Sequence, residues 1–239
     1  MNEYRPESLL CVVAHADDVD VLLGGTVAKW ASKGTKVCYL ICTDGSKGTS
    51  DTNEAGEKIA HIRAREQQAA ADAVGAESCH QLSFCDGEIE VTDELRIEIV
   101  KAIRAHKPEA VFTMDPQFLY SVRWGYANHR DHRVVGEATF DAVYPMARDA
   151  TTSQELLDDG YEPHTVKSLL LAHYEKENTF IDISEHFSAK EAGLRAHASQ
   201  FGDGNAIVDH LHERAEHDGH NVDGQLAEGF ILLDVSMGS

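Results

Sequence analysis

The sequence predicts an α/β protein: a single three-layer Rossmann-like domain over residues 1–239, with a mostly parallel central sheet. Three observations predict it. Leu9-Leu10-Cys11-Val12-Val13 and Lys36–Thr43 (KVCYLICT) are short continuous apolar runs, the pattern of strands buried on both faces. Between them Val27, Trp30 and Ala31 recur at helical spacing and Gly34 ends the run. Strand, helix and strand in that order form a right-handed crossover between parallel strands, and the alternation continues down the chain.

The first strand ends at Ala14-His15-Ala16-Asp17-Asp18, and Gly24-Gly25-Thr26 is expected to open the first helix. The second strand closes in Asp44-Gly45-Ser46-Lys47-Gly48. Thr49–Gly56 is polar and reads as a loop. Glu57–Val74 is an alanine-rich helix stopped by Gly75, and His80–Phe84 is a short strand leading to Asp86-Gly87. Asp93 is expected to cap a helix running to about His106, which Pro108 cannot continue. Ala110–Thr113 is a strand ending in Met114-Asp115-Pro116, and His129–Val143 a helix. Leu169–Ala172 and Thr179–Asp182 read as later strands, with Ser184–Gln200 largely helical. No internal repeat or low-complexity linker interrupts the pattern.

The chain has 239 residues, 42% of them hydrophobic, enough for one sizeable core and too apolar for disorder. No apolar run approaches the roughly 20 residues of a membrane-spanning helix. The start, Met1-Asn2-Glu3-Tyr4-Arg5-Pro6, lacks the basic-then-apolar layout of a signal peptide, so a cytoplasmic location is expected. The five cysteines follow no disulfide or zinc-finger spacing and read as free thiols. With 41 acidic against 21 basic residues the net charge is −20, which repels nucleic acid and anionic membranes. Cationic or neutral small substrates suit such a field, and a homo-oligomer is compatible with it.

Two clusters carry chemistry. His15, Asp17 and Asp18 follow the first strand, where open α/β sheets bind ligands. An imidazole with adjacent carboxylates suits Zn²⁺, and the two carboxylates can divide the work between metal and base. His129-Arg130-Asp131-His132 heads a helix, where two histidines three apart face one side. This second cluster can add a metal ligand and a free imidazole. Each alone could be a solvated surface loop; together, at a strand exit and a helix entry, they point to a metal site.

The segment AHADDVDVLLGGTVAKWASKG resembles the N-terminal signature of the LmbE-like, or PIG-L, N-acetylglucosaminyl deacetylase family, a His-Pro-Asp-Asp-Glu core followed by Gly-Gly-Thr and a helix. The likeness extends through Thr43–Gly48, Arg63-Ala64-Arg65-Glu66-Gln67 and Phe84-Cys85-Asp86-Gly87. It continues in Asn128–Arg133, Arg195–Gln200 and Ala227-Glu228-Gly229-Phe230. It implies His15, Asp18 and His132 as zinc ligands and Asp17 as the general base that activates water. His129 is implied as the imidazole that stabilises or protonates the tetrahedral species, and Asp131 as the carboxylate that orients it. Arg63 and Asp86 match positions that hold sugar hydroxyls. The implied cofactor is Zn²⁺, with Fe²⁺ the alternative metal, and the implied substrate is a small N-acyl amino sugar or conjugate.

The sequence departs from the family pattern at Ala16, where proline is usual, at Val19, where glutamate is, and at Arg130, where proline is common. No proposed ligand or base is lost. Asp20 stands one place beyond the missing glutamate, and Tyr126 is a further candidate for the site.

Two other functions fit parts of the sequence. Acidic residues after a first parallel strand also serve Mg²⁺-dependent phosphoryl transfer, although the paired histidines favour zinc. A non-catalytic sugar-binding module could keep the fold, although it has no need of Asp17. The histidine-rich stretch from Asp209 to His220 lacks the HExxH spacing and reads as a solvated helix followed by a loop. His197 reads as packing near the pocket, Trp30 as core, and Trp124 as a residue able to stack on a sugar. Substrate specificity is expected in Thr49–Gly56 and Gln117–Asn128.

Overall fold

A computed structural model describes residues 3–53 and 55–236. The elements run β1 (Ser8–Val13), α1 (Asp18–Ser32), β2 (Lys36–Thr43), α2 (Glu57–Val74), β3 (Ser78–Phe84), α3 (Asp93–His106) and β4 (Ala110–Met114). A hairpin of β5 (Tyr120–Ser121) and β6 (Tyr126–Ala127) follows, then α4 (Arg130–Asp141), continued by a wider turn at Ala142–Met146. After α5 (Gln154–Asp158) come β7 (Ser168–Ala172), β8 (Thr179–Asp182), α6 (Phe187–Ala196), α7 (Ala198–Phe201), α8 (Asn205–Gly219) and β9 (Ala227–Asp234).

Seven strands form the central sheet in the order β3-β2-β1-β4-β7-β9-β8. The first five are mutually parallel; β9 runs antiparallel to both β7 and β8. The continuous apolar runs are explained by burial on both faces. Leu9, Cys11 and Val13 of β1 pack with Val27, Trp30, Ala71 and Leu194 on one side. Their neighbours Leu10 and Val12 pack with Ile99, Ile103, Val135 and Ala138 on the other. Successive side chains of a strand point to opposite faces, so one strand feeds both cores. Helices α1, α2, α6 and α8 therefore form one outer layer and α3 and α4 the other.

The order matters for function. From β1 the chain moves outward to β2 and β3, then returns to place β4 on the other side of β1. A crevice opens beyond the carboxyl ends of β1 and β4 at such a switch point.

Several expectations are corrected. The first helix begins at Asp18, not at Gly24-Gly25-Thr26. The glycine pair instead marks a place where two distant residues enter the helix. Gly25 N–H donates to Glu228 Oε1 at 3.1 Å, and Thr26 N–H donates to Glu228 Oε2 at 2.7 Å. Lys190 Nζ donates to the Val21 carbonyl at 2.7 Å and pairs with Glu228 at 2.6 Å. Close packing explains the glycines: a Cβ on Gly25 would stand 2.7 Å from Ile183 Cδ1. The cap of α3 is Thr92, whose side chain accepts from Leu95 N–H, and not Asp93. The strand β9 begins with Ala227–Phe230, matched only as a motif, and its buried Glu228 disguised it.

The five cysteines are unpaired, and Cys11, Cys38 and Cys42 are buried. Among the described residues no helix is long and apolar enough to cross a membrane. Met1 and Asn2 of the amino-terminal segment and Glu54 of the Thr49–Gly56 loop lie outside the described residues. The remainder of that loop holds no helix or strand.

Candidate active site and metal centre

Three strand ends deliver the site. His15 follows β1, and Asp17 and Asp18 form the entry to α1, whose partial positive charge favours carboxylates. Asp86 sits in the turn after β3, and the segment after β4 brings in His129 and His132 at the start of α4. Helix α2 supplies Arg63 from the side. Together they wall a cleft of about 440 Å³, wide enough for a sugar ring.

His15, Asp18 and His132 converge, their donor atoms all within 4.8 Å of one another. His15 Nδ1 lies 3.3 Å from His132 Nε2, which lies 3.1 Å from Asp18 Oδ1. The opposite edge of each ring is engaged. His15 Nε2 stands 3.3 Å from Asp86 Oδ1 and 3.4 Å from Asp131 Oδ2. A carboxylate only accepts, so the ring proton belongs on Nε2 and the Nδ1 lone pair faces the cluster. His132 Nδ1 donates to Asn128 Oδ1 at 2.9 Å, and Asn128 Nδ2 donates to Phe118 O at 2.7 Å. The Phe118 carbonyl thus fixes which end of the Asn128 amide meets His132, and leaves His132 Nε2 as the free lone pair. Two imidazole lone pairs and a carboxylate aimed at one point are a nitrogen–oxygen donor set of the kind Zn²⁺ takes.

Electrostatics agree with this geometry. Burial alone would lower the His15 pKa, but Asp131, Asp86 and Asp18 raise it to about 10, so without a metal a proton occupies the cluster. For Asp18, burial works upward and is outweighed by His132 and His15, which bring it to about 2. Asp17 goes the other way, pushed up to about 7 by burial and by the charge of Asp18, against the pull of Arg63.

His129 is the N-cap of α4 and half exposed; its Nδ1 accepts from Asp131 N–H at 3.2 Å. That bond requires the neutral ring with its proton on Nε2. Burial and the charge of His15 also hold its pKa below the ordinary imidazole value. Asp131 is fully buried. Its carboxylate accepts from Gly87 N–H at 2.7 Å, lies 3.4 Å from His15 Nε2, and stands 4.0 Å from His129 Nδ1.

Arg63 and Asp86 both line the cleft but are engaged within the protein. Arg63 Nη2 donates to Ala16 O at 2.9 Å and lies 3.4 Å from Asp17 Oδ2, while Asp86 Oδ2 accepts from Lys47 N–H at 3.1 Å. The Arg63 guanidinium passes beneath Gly48 so closely that a Cβ there would overlap Nη1. Tyr126 reaches the site, its hydroxyl 3.4 Å from His132 Nδ1.

Other candidates are placed elsewhere. Asp20 and His197 are fully buried and bonded to each other at 3.0 Å, away from the cleft. Trp30 is core, packed edge-on against Phe230. Trp124 packs edge-on against His210 and His217 of α8, and neither histidine joins a metal-competent cluster among the described residues. The sequence reading gave no role to Asn128 or Gln67. The signal was present in their spacing, Asn128 one helical turn before His132 and Gln67 one turn after Arg63.

These features define a class: an α/β enzyme with a His–Asp–His donor set at the switch point of a parallel sheet. Comparison with known proteins gives the family. The sequence profile of PIG-L, described as GlcNAc-PI de-N-acetylase, matches residues 10–143. Diacetylchitobiose deacetylase of Thermococcus kodakarensis is 35% identical over 195 residues, 82% of this chain and 70% of its own length. The 1D-myo-inositol 2-acetamido-2-deoxy-alpha-D-glucopyranoside deacetylase of Actinosynnema mirum is 28% identical, covering 82% of this chain and 81% of its own. Among solved structures, N,N'-diacetylchitobiose deacetylase from Pyrococcus horikoshii matches with a TM-score of 0.86 and 29% identity, covering 96% of this chain and 84% of that one. The chain belongs to the PIG-L family, and its enzymatic class is that of an N-deacetylase.

Proposed function

We propose that this chain is a zinc-dependent hydrolase that removes the N-acetyl group from an N-acetylglucosamine-type sugar or conjugate. The observation that carries the reading is the convergence of His15 Nδ1, Asp18 and His132 Nε2 beside an unligated carboxylate, Asp17, on one cleft. The deacetylases it resembles supply the substrate class. Zn²⁺ fits the donor set; Fe²⁺ is the alternative, and the two imidazoles disfavour Mg²⁺. One domain over residues 1–239, acting in the cytoplasm, belongs to the same proposal.

When bound by His15, Asp18 and His132, zinc supplies Lewis acidity toward the amide carbonyl and acidifies water in the site. Asp17, a carboxylate left outside the donor set, accepts the proton of the attacking water as the oxygen–carbon bond forms. His129, neutral with its proton on Nε2, donates a hydrogen bond to the developing oxyanion. Asp131 steadies His15 with its carboxylate and His129 with its backbone N–H. The proton on Asp17 then passes to the leaving nitrogen, the carbon–nitrogen bond breaks, and acetate and a primary amine depart. Arg63 and Asp86 form the wall on which the sugar hydroxyls rest.

The test is release of primary amine from a panel of N-acetylglucosamine derivatives by zinc-loaded protein, before and after chelation. Amine release that chelation abolishes and zinc restores is expected. No release from any derivative, with phosphate liberated from a phosphorylated sugar instead, overturns the reading.

A further inference from the structure

One helix grips both ends of a single peptide unit. Arg63 Nη2 donates to the Ala16 carbonyl at 2.9 Å, and Gln67 Oε1 accepts the Asp17 N–H at 2.8 Å. These two groups belong to the Ala16–Asp17 peptide, and Arg63 and Gln67 lie one turn apart on the same face of α2.

This peptide is also where the backbone is strained. Asp17 has φ +89° and ψ −28°, the left-handed region, at a cost on the order of 1–3 kcal/mol for a residue with a Cβ. Turning the peptide plane over would convert that positive φ into an ordinary negative one. The turned peptide would aim its carbonyl at Gln67 Oε1 and its N–H at the Arg63 guanidinium. A guanidinium has no acceptor to offer, so Arg63 cannot adapt.

Gln67 could adapt by exchanging its amide oxygen and nitrogen, but it is held from behind. Its Nε2 donates to Asp20 Oδ2 at 2.9 Å, and His197 Nε2 bonds the same oxygen at 3.0 Å. A reversed amide would set oxygen against carboxylate oxygen. Gln67, Asp20 and His197 are all at most 1% exposed, so water cannot relieve the conflict.

We propose that Gln67, backed by Asp20 and His197, is a positioning residue that locks the Ala16–Asp17 peptide in the orientation that aims the Asp17 carboxylate into the cleft. The inference rests on Asp17 being the base. It assigns the buried Asp20–His197 pair a duty through Gln67, not at the cleft.

The test compares Gln67→Met, close in size but without polar atoms, with the paired exchange Gln67→Glu and Asp20→Asn. The pair keeps an acceptor for the Asp17 N–H and a donor behind it; His197, whose Nδ1 has no hydrogen-bond partner among the described residues, can move its proton there to suit. Steady-state kinetics use zinc-loaded protein and N,N'-diacetylchitobiose, and hydrogen exchange follows the segment 14–18. For Gln67→Met, kcat falls by about 10- to 100-fold with little change in KM, as a misplacement near 1 Å predicts. The Asp17 amide exchanges faster, and Gln67→Glu alone is also impaired. The paired exchange recovers most of the lost kcat and restores slow exchange. Wild-type kcat in Gln67→Met, unchanged exchange at 14–18, or a folded paired variant as slow as Gln67→Glu alone would each overturn the proposal. Should Gln67→Met not fold, the paired variant decides. An Asp17→Asn variant with full turnover would instead sink the base assignment, with no Gln67 variant involved.

Discussion

His15 Nδ1 and His132 Nε2 face each other at 3.3 Å while the far edge of each ring is already engaged, His15 by Asp86 and Asp131 and His132 by Asn128. Two lone pairs at that distance repel unless a cation sits between them. In the metal-free protein the cation is a proton, and the pKa of His15, raised to about 10 against the effect of burial by Asp131 and Asp86, reflects it.

Binding of zinc at this cluster should therefore displace that proton. Calorimetric titration of the chelated protein at pH 7, in buffers of different ionisation enthalpy, is expected to show release of about one proton per zinc bound. Binding without proton release would contradict the arrangement. In the absence of metal the raised pKa stabilises the fold fully below pH 6.5, and the contribution is lost as pH rises through about 10.

Asn128 sets which nitrogen of His132 is free. Asn128→Leu removes the acceptor for Nδ1–H, and zinc affinity, measured by competition with a chromogenic chelator, is expected to fall about 10- to 100-fold. Asn128→Asp keeps an acceptor and holds affinity within a few-fold of the parent.

Asp17 gives a stability signature as well as a kinetic one. Its carboxyl is pushed up to about 7 by burial and by Asp18, so the folded state holds this proton more tightly than the unfolded chain does. The stabilisation is present below pH 3.8 and is lost as pH rises through about 7. Metal-free Asp17→Asn should thus melt higher than the parent at pH 8, by on the order of 1 kcal/mol or more, and the advantage should shrink toward pH 5. The same variant loaded with zinc should lose roughly 100-fold or more in kcat. In the parent, kcat/KM should fall on the acid side at or below about pH 7, because bound zinc draws the Asp17 pKa down.

Lys190 and Glu228 form a buried pair inserted into α1, 3% and 6% exposed at their side chains. Lys190→Met leaves the Glu228 charge buried without its partner, and a loss of about 3–5 kcal/mol is expected by urea denaturation. A cost near zero would show that the N–H groups of Gly25 and Thr26 suffice to hold the carboxylate.

Gly48 lies against the Arg63 guanidinium. Gly48→Ala is expected to displace Arg63, lowering kcat/KM about 10-fold or more, while zinc affinity stays near the parent value because no donor atom is touched.

Much of this was legible beforehand for an identifiable reason. Buried parallel strands must be continuously apolar, so β1 and β2 declared themselves in Leu9–Val13 and Lys36–Thr43, and the crossover followed from the helical period between them. The metal-competent residue types were legible because histidine next to paired aspartates at a strand exit, and HRDH at a helix entry, are unusual as plain surface. The start of α1 was not legible, because the glycine pair that reads as a helix boundary lies inside the helix, packed against Lys190 and Ile183, with its N–H at Gly25 given to Glu228 more than 200 residues away. β9 was hidden by the same glutamate, whose burial makes sense only beside Lys190.

By itself the sequence determined the order of elements and the chemical kind of each donor, since both depend on local pattern. Tertiary structure alone decided which lone pairs meet, which carboxylate stays out of the metal cluster, and which way the Ala16–Asp17 peptide faces. Those choices are made by hydrogen bonds between residues far apart in the chain: Asp17 with Gln67, His197 with Asp20, His15 with His132. A ring tautomer or a peptide plane has two nearly equal states in isolation, and only a partner delivered by the fold breaks the tie.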